Sequence, residues 1–309
     1  GREYPFLHTV KVTLQDLRER KFFIDVKNFL IHKLSYTVYS GTDVIIISSV
    51  LGLRTAGLVA NYVLLCDGVS KLLYKVLQGI IPSANLVYTD DREKSFRVYR
   101  ALDFIYFLLG GYIACIYFIA LQPFVVLFFG TEFMLDNAYV ITLAVNTFFA
   151  TQFENAYNFR STHGVFENDR GYMVLSAVTN FGLSIILAHY FGVVGVMVGT
   201  IAGLSFIVYG RVQFVFRVIF RRSMRAYWWS HAWWSMVVLL EVVLIDQILS
   251  ASFFSSTYGG LLLKCICAAA LMLGMQILVF HRCGEFRSVC VYIGETWDVL
   301  MCKIRGRKS

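Results

Sequence analysis

Charge is what this sequence has little of. Only 16% of its 309 residues are charged, against roughly 25% in a typical soluble domain. Proline is scarce too, with three in the chain. A chain that is 58% hydrophobic and 16% aromatic, with a mean hydropathy of +0.63, has too little polar surface to clothe a water-soluble domain. Also missing are a phosphate-binding glycine loop, a paired catalytic motif and any metal-ligand spacing. The chain is therefore read as a non-enzyme with no cofactor and no metal. Its seven cysteines are an odd number without pattern, and are read as reduced, small apolar fillers. Segment 1–27 is polar and basic, with neither a charged-then-apolar leader nor a cleavage site. Starting at Gly1, the chain is expected to begin inside a longer protein.

What is present is a series of apolar runs of membrane length. A bilayer core of ~30 Å takes about 20 helical residues, and eight such segments can be read: 28–52, 55–81, 100–122, 136–159, 171–191, 194–216, 227–249 and 258–280. The expected fold is all-α, a polytopic membrane bundle of about eight transmembrane helices. The short run "PFVVLFFG" is expected to cap a hairpin at the interface. Of the 28 basic residues, 23 fall before the first span, on alternate loops, or in the tail; the opposite loops hold only Arg54. By the positive-inside bias the chain is expected in the inner (plasma) membrane, multi-pass, with both termini cytoplasmic. That bias accounts for the net charge of +8 without nucleic acid. Four parts follow: a cytoplasmic linker (1–27), a six-helix lobe (28–218), two additional helices (219–281) and a basic tail (282–309). Trp228, Trp229, Trp233 and Trp234 are expected as interfacial anchors. In the tail, Phe286, Val289, Ile293, Trp297, Leu300 and Ile304 recur at helical spacing. That helix either lies on the anionic inner leaflet or packs under the bundle.

Charges inside spans are costly, about 2.5–3.5 kcal/mol on insertion scales, and usually face the bundle or a wet cavity. Lys33, Tyr36, Ser40 and Asp43 share one stripe of the first span; Asp67, Lys71, Tyr74, Lys75 and Gln78 share one on the second. Counting from the turn near Gly52, Lys33, Lys71 and Lys75 reach similar depth in the cytoplasmic half, with Asp43 and Asp67 above them. Two readings stand. The lysines form a basic pocket for a pyrophosphate, with Asp43, Asn61, Asp67 and Glu154 as cavity-lining or coupling-ion candidates; or the charges neutralise one another, Asp67 with Lys71. Lys264, near the outer end of the eighth span, is expected to snorkel. The polar run Gln152, Glu154, Asn155, Asn158 and Arg160 either lines the same cavity or bonds neighbouring helices.

Two stretches, "TDVIIISSVLGLRTAGLVANYVLL" and "GVFENDRGYMVLSAVTNFGLSIILAHYFGVVGVMVGTIAGL", resemble the second lobe of polysaccharide-export flippases. These are the Wzx-type O-antigen, capsule and teichoic acid transporters of the multidrug/oligosaccharidyl-lipid/polysaccharide (MOP) superfamily. The resemblance rests on Thr42 to Ser48, Asn61 and Tyr62, Gly164 and Phe166, Asn180 and Ser184, and the series Gly192, Gly195, Gly199 and Thr200. It implies a lobe of six helices plus two extra, whose partners are membrane lipid, a lipid-linked oligosaccharide and an N-terminal lobe of the same protein. It further implies that undecaprenyl-pyrophosphate-linked repeat units are flipped across the membrane by alternating access, with Asp43, Asn61 and Lys71 facing the cavity. The alternatives are a drug or cation antiporter of the same superfamily, against which the lysines argue, and a lipid-linked glycosyl or acyl transferase. The latter's best site is the loop with His163, Glu167, Asp169 and Arg170.

Overall fold

The computed structural model describes residues 41–85, 92–152, 154–162, 170–250 and 257–291, together with Phe23, Val26, Lys27, Leu30, Lys33, Leu34, Thr37 and Gly294. For 72–85, Ser161, Thr162 and Arg170 only the backbone is described. The linker 1–27 and the tail beyond Val291 thus fall largely outside the described residues, as do the transferase-like loop residues His163, Glu167 and Asp169, and Tyr36 and Ser40 of the first stripe.

Every regular element among the described residues is helical, as a bilayer requires of a chain that must satisfy its own backbone groups. The order is α1 (Gly41–Leu51, its end widened into a π-turn), α2 (Leu53–Asn85), α3 (Arg92–Phe129), α4 (Asn137–Gln152) and α5 (Glu154–Thr162). Then come α6 (Arg170–Gln213), α7 (Arg225–Ile248), α8 (Tyr258–Phe280) and a short α9 (284–291). Among the described residues four helices are long and apolar enough to cross a membrane: α3, α6 with its π-helical extension, α7 and α8. These carry the expected third, fifth to sixth, seventh and eighth segments.

Helix α6 is two arms. At Gly192 the backbone adopts φ 58° and ψ −136°, a conformation open to glycine alone, and the chain turns back on itself. Tyr172 near one end donates its hydroxyl to Gln213 near the other at 2.7 Å, and Ser184 donates to the Val196 carbonyl at 3.2 Å. The arms touch closely because Gly195, Gly199 and Gly203 recur every fourth residue. A methyl on Gly199 would strike Ser184, with the Ser184 amide nitrogen at 2.7 Å.

Helix α3 is the central post. Phe104 and Phe107 are fully buried and meet Trp234 of α7 and Phe280 of α8 edge-on or tilted. A second aromatic cluster, Tyr99, Phe159, Phe216 and Phe220, fastens α3 to α5 and to the turn after α6.

Three expectations need correction. The run "PFVVLFFG" is no separate cap: α3 continues through Pro123 to Phe129, a helix of 38 residues and about 57 Å. Trp234 is no interfacial anchor; it is 2% exposed beneath α3, whereas Trp229 and Trp233 are open. Lys264 is buried in the bundle at 6% exposure rather than snorkelling outward.

Candidate functional site

The most ordered polar feature joins α1 to both arms of α6. Asn180 projects from the outgoing arm and Thr200 from the returning one, held opposite each other by the glycine contact below them. Thr42 donates to Asn180 Oδ1 at 3.2 Å, Asn180 Nδ2 donates to Thr200 Oγ1 at 3.1 Å, and Thr200 Oγ1 donates to Asp43 Oδ2 at 2.9 Å. The three donations run one way and end on the carboxylate, so each polarises the next. Thr42, Asn180 and Thr200 are buried, while Asp43 is half-buried. The second carboxylate oxygen, Oδ1, is shielded from solvent with no donor in hydrogen-bond geometry among the described residues.

Helix α2 shows a different arrangement. Val59, Tyr62 and Cys66 turn inward; Tyr62 donates to Gln122 of α3 at 2.8 Å and receives the Leu135 amide at 3.1 Å. Asn61 is half-buried beside this row. Asp67 and Lys71 face outward and pair at 2.7 Å, with side chains 54% and 71% exposed. Lys33 is exposed on helical backbone, and the Lys75 side chain lies outside the described residues. Among the described residues Asp43 therefore engages α6, while Asp67 and Lys71 engage each other; one convergent site does not appear.

At the other end of the bundle, Asn155 donates to the Tyr99 carbonyl at 3.1 Å and Asn158 to the Tyr106 hydroxyl at 3.0 Å. These two amides thus bond a neighbouring helix. Glu154 is half-buried within the field of Arg211, and the guanidinium groups of Arg211 and Arg160 lie 4.7 and 5.8 Å from the Tyr157 ring.

Two buried acids escaped the sequence reading, which weighed Asp43, Asp67 and Glu154 but neither of these. Asp103, 1% exposed, sits 3.5 Å from His231 and 3.8 Å from Arg100; Arg100 also holds Glu285 of α9. Glu241 of α7 is 4% exposed beside Gln276 of α8. An acidic residue inside an apolar run was the available signal for both. Among the described residues no three His, Cys, Asp or Glu side chains converge as a metal would need.

No family model, no curated protein and no solved structure matches this chain. What stands is a class: a protein whose described residues are helical throughout their regular elements, with four helices among them of membrane-crossing length and apolarity, and a polar junction at Asp43.

Proposed function

We propose that the chain is the second lobe of a flippase that moves undecaprenyl-pyrophosphate-linked oligosaccharides across the inner membrane, with about eight spans and both termini cytoplasmic. The observation that carries the reading is the outward-facing Asp67–Lys71 pair. Lys71 lies 19 residues past Gly52, about 28 Å along the helix. Lys71 thus reaches the inner edge of a ~30 Å core, while Asp67, about 22 Å along, lies within it, where a charge avoids hydrocarbon; this supports a wet cavity wall opposite a second lobe. The residues that carry the flippase resemblance supply further support. Thr42, Asp43, Asn180 and Thr200, 158 positions apart at the extremes, meet in one junction, and Gly192 makes the turn between two arms. In this account Lys33, Lys71 and Lys75 receive the pyrophosphate, and Asp43, Asn61, Asp67 and Glu154 line the cavity or hold the coupling ion. The lobes then rock to expose the cavity outward. An apolar groove of about 410 Å³ between α2, α3 and α8, floored by Leu65, Ile116 and Leu261, suits a hydrocarbon chain.

The test is export of lipid-linked oligosaccharide in cells carrying Lys71→Gln and Lys75→Gln. Export is expected to cease while the protein stays inserted; unchanged export removes the binding role.

A further inference from the structure

A second site lies away from the Asp43 junction, where the start of α3 meets α9. Lys94, Arg97, Val98 and Ala101 follow a three, one, three spacing and share one face of α3. Across from them stand Arg287, Ser288 and Val291 of α9, and the two faces enclose a groove of about 310 Å³. Its lining holds three cations and no acid. Among the described residues, the acids flanking the groove on these helices are committed elsewhere: both oxygens of Glu93 accept from Arg222, at 2.6 and 2.7 Å, and Glu285 is held by Arg100. Arg97 and Arg287 are exposed, and neither has an ion-pair partner among the described residues. The floor is apolar, with Ala101 2% exposed and Val98 half-buried, and Val291 stands 61% exposed at the edge.

The groove is fixed in place. Phe286 packs edge-on against Phe104, Val289 is buried in the main core, and the Arg100–Glu285 pair ties α9 to α3. It sits at the end of the bundle where the basic residues collect, the level at which an anionic leaflet presents its phosphates.

We infer that this groove binds the headgroup of an anionic phospholipid, its phosphate held by Arg97, Arg287 and Lys94 and its first acyl carbons resting on Val98 and Val291. Arginine suits a phosphate because its planar fork presents paired donors. The site rests on membrane embedding alone and is independent of what the protein transports.

The full chain, purified in detergent, is titrated with dioleoyl phosphatidylglycerol, dioleoyl phosphatidylcholine or inorganic phosphate while its thermal unfolding is followed. Phosphatidylglycerol is expected to raise the midpoint saturably; the other two are not. R97Q/R287Q weakens the apparent affinity about tenfold or more, R97K/R287K largely retains it, and R221Q/R225Q, which removes equal charge outside the groove, leaves it unchanged. Should the double glutamine variant not fold, each single variant is expected to weaken binding about threefold or more. An unaltered phosphatidylglycerol response in R97Q/R287Q, or equal loss in R221Q/R225Q, overturns the site. Saturation by inorganic phosphate at similar concentration overturns the lipid assignment.

Discussion

Thr200 Oγ1 donates to Asp43 Oδ2 at 2.9 Å across 157 residues of sequence. That bond fastens α1 to the returning arm of α6 and aims the last donor of a four-residue relay at a single carboxylate. It separates two roles for Asp43 that the sequence left open, because an amide keeps the acceptor and loses the charge.

Asp43→Asn is accordingly expected to keep the fold and to lower export by about tenfold or more, the loss of one charge-dependent step. Thr200→Val, which removes only the hydroxyl, is expected to cost about 0.6–1.7 kcal/mol of stability with most export retained. Unfolding in detergent and accumulated lipid-linked oligosaccharide read the two effects. Full export by Asp43→Asn would reduce that residue to a packing role.

The hairpin of α6 depends on the absence of a side chain at Gly199. Gly199→Leu is expected to push the arms apart at a cost of about 1–3 kcal/mol or more, visible as lower expression and a lower unfolding midpoint. Gly171→Ala, where an added methyl meets nothing within 4 Å, serves as the control and should raise or preserve the midpoint. Equal behaviour of the two variants would contradict the close antiparallel contact.

Much of this architecture was legible in the sequence. The spans 171–191 and 194–216 were separated at Gly192, but the glycine series was singled out only through the resemblance; its physical role, a positive φ at Gly192 and backbone contact at Gly199, is given by the structure. Thr42, Asp43, Asn180 and Thr200 were all marked, although only three-dimensional folding joins them. What the stripes on α1 and α2 did not fix was partnership. Helical spacing places residues on a face without saying which neighbour that face meets, so Asp43 was grouped with Lys71 when its hydrogen bond goes to α6. Trp234 was misjudged, and Asp103 overlooked, for a related reason. Each is tucked beneath Arg100, whose guanidinium lies 5.3 Å from the Trp234 ring, and a residue near a helix end looks interfacial until the element covering it, here α9, is placed. The tail's choice between leaflet and bundle is decided for its first turns by the same contact, since Phe286 and Val289 pack inward.

Arg100 therefore governs the tail. Arg100→Ala is expected to release α9 and destabilise the protein by about 1–3 kcal/mol, the range for losing a charged hydrogen-bond partner. Amide hydrogen exchange should show loss of protection confined to 284–291 and the facing turn of α7. Glu285→Gln should give a milder form of the same change. Protection equal to wild type in both variants would show that Phe286 and Val289 alone hold α9.

The positive-inside reading makes a topological prediction. Single cysteines at the exposed Leu53 and Tyr190, beside the turns at Gly52 and Gly192, in a cysteine-free background are expected to label from the periplasmic face with a membrane-impermeant maleimide. Cysteines at Arg222 and Arg282 should label only after permeabilisation. The reverse pattern would invert the orientation, and labelling of all four from one side would remove the spanning arrangement.

The central claim is lipid-linked oligosaccharide translocation, and the direct measurement is reconstitution. The full-length protein containing this chain is placed in liposomes bearing a fluorescent undecaprenyl-pyrophosphate oligosaccharide, and the outer-leaflet fraction is quenched with time. The account predicts protein-dependent exposure of the inner pool, lost in K71Q/K75Q. Exposure no faster than in protein-free liposomes, with correctly folded and inserted protein, would contradict it.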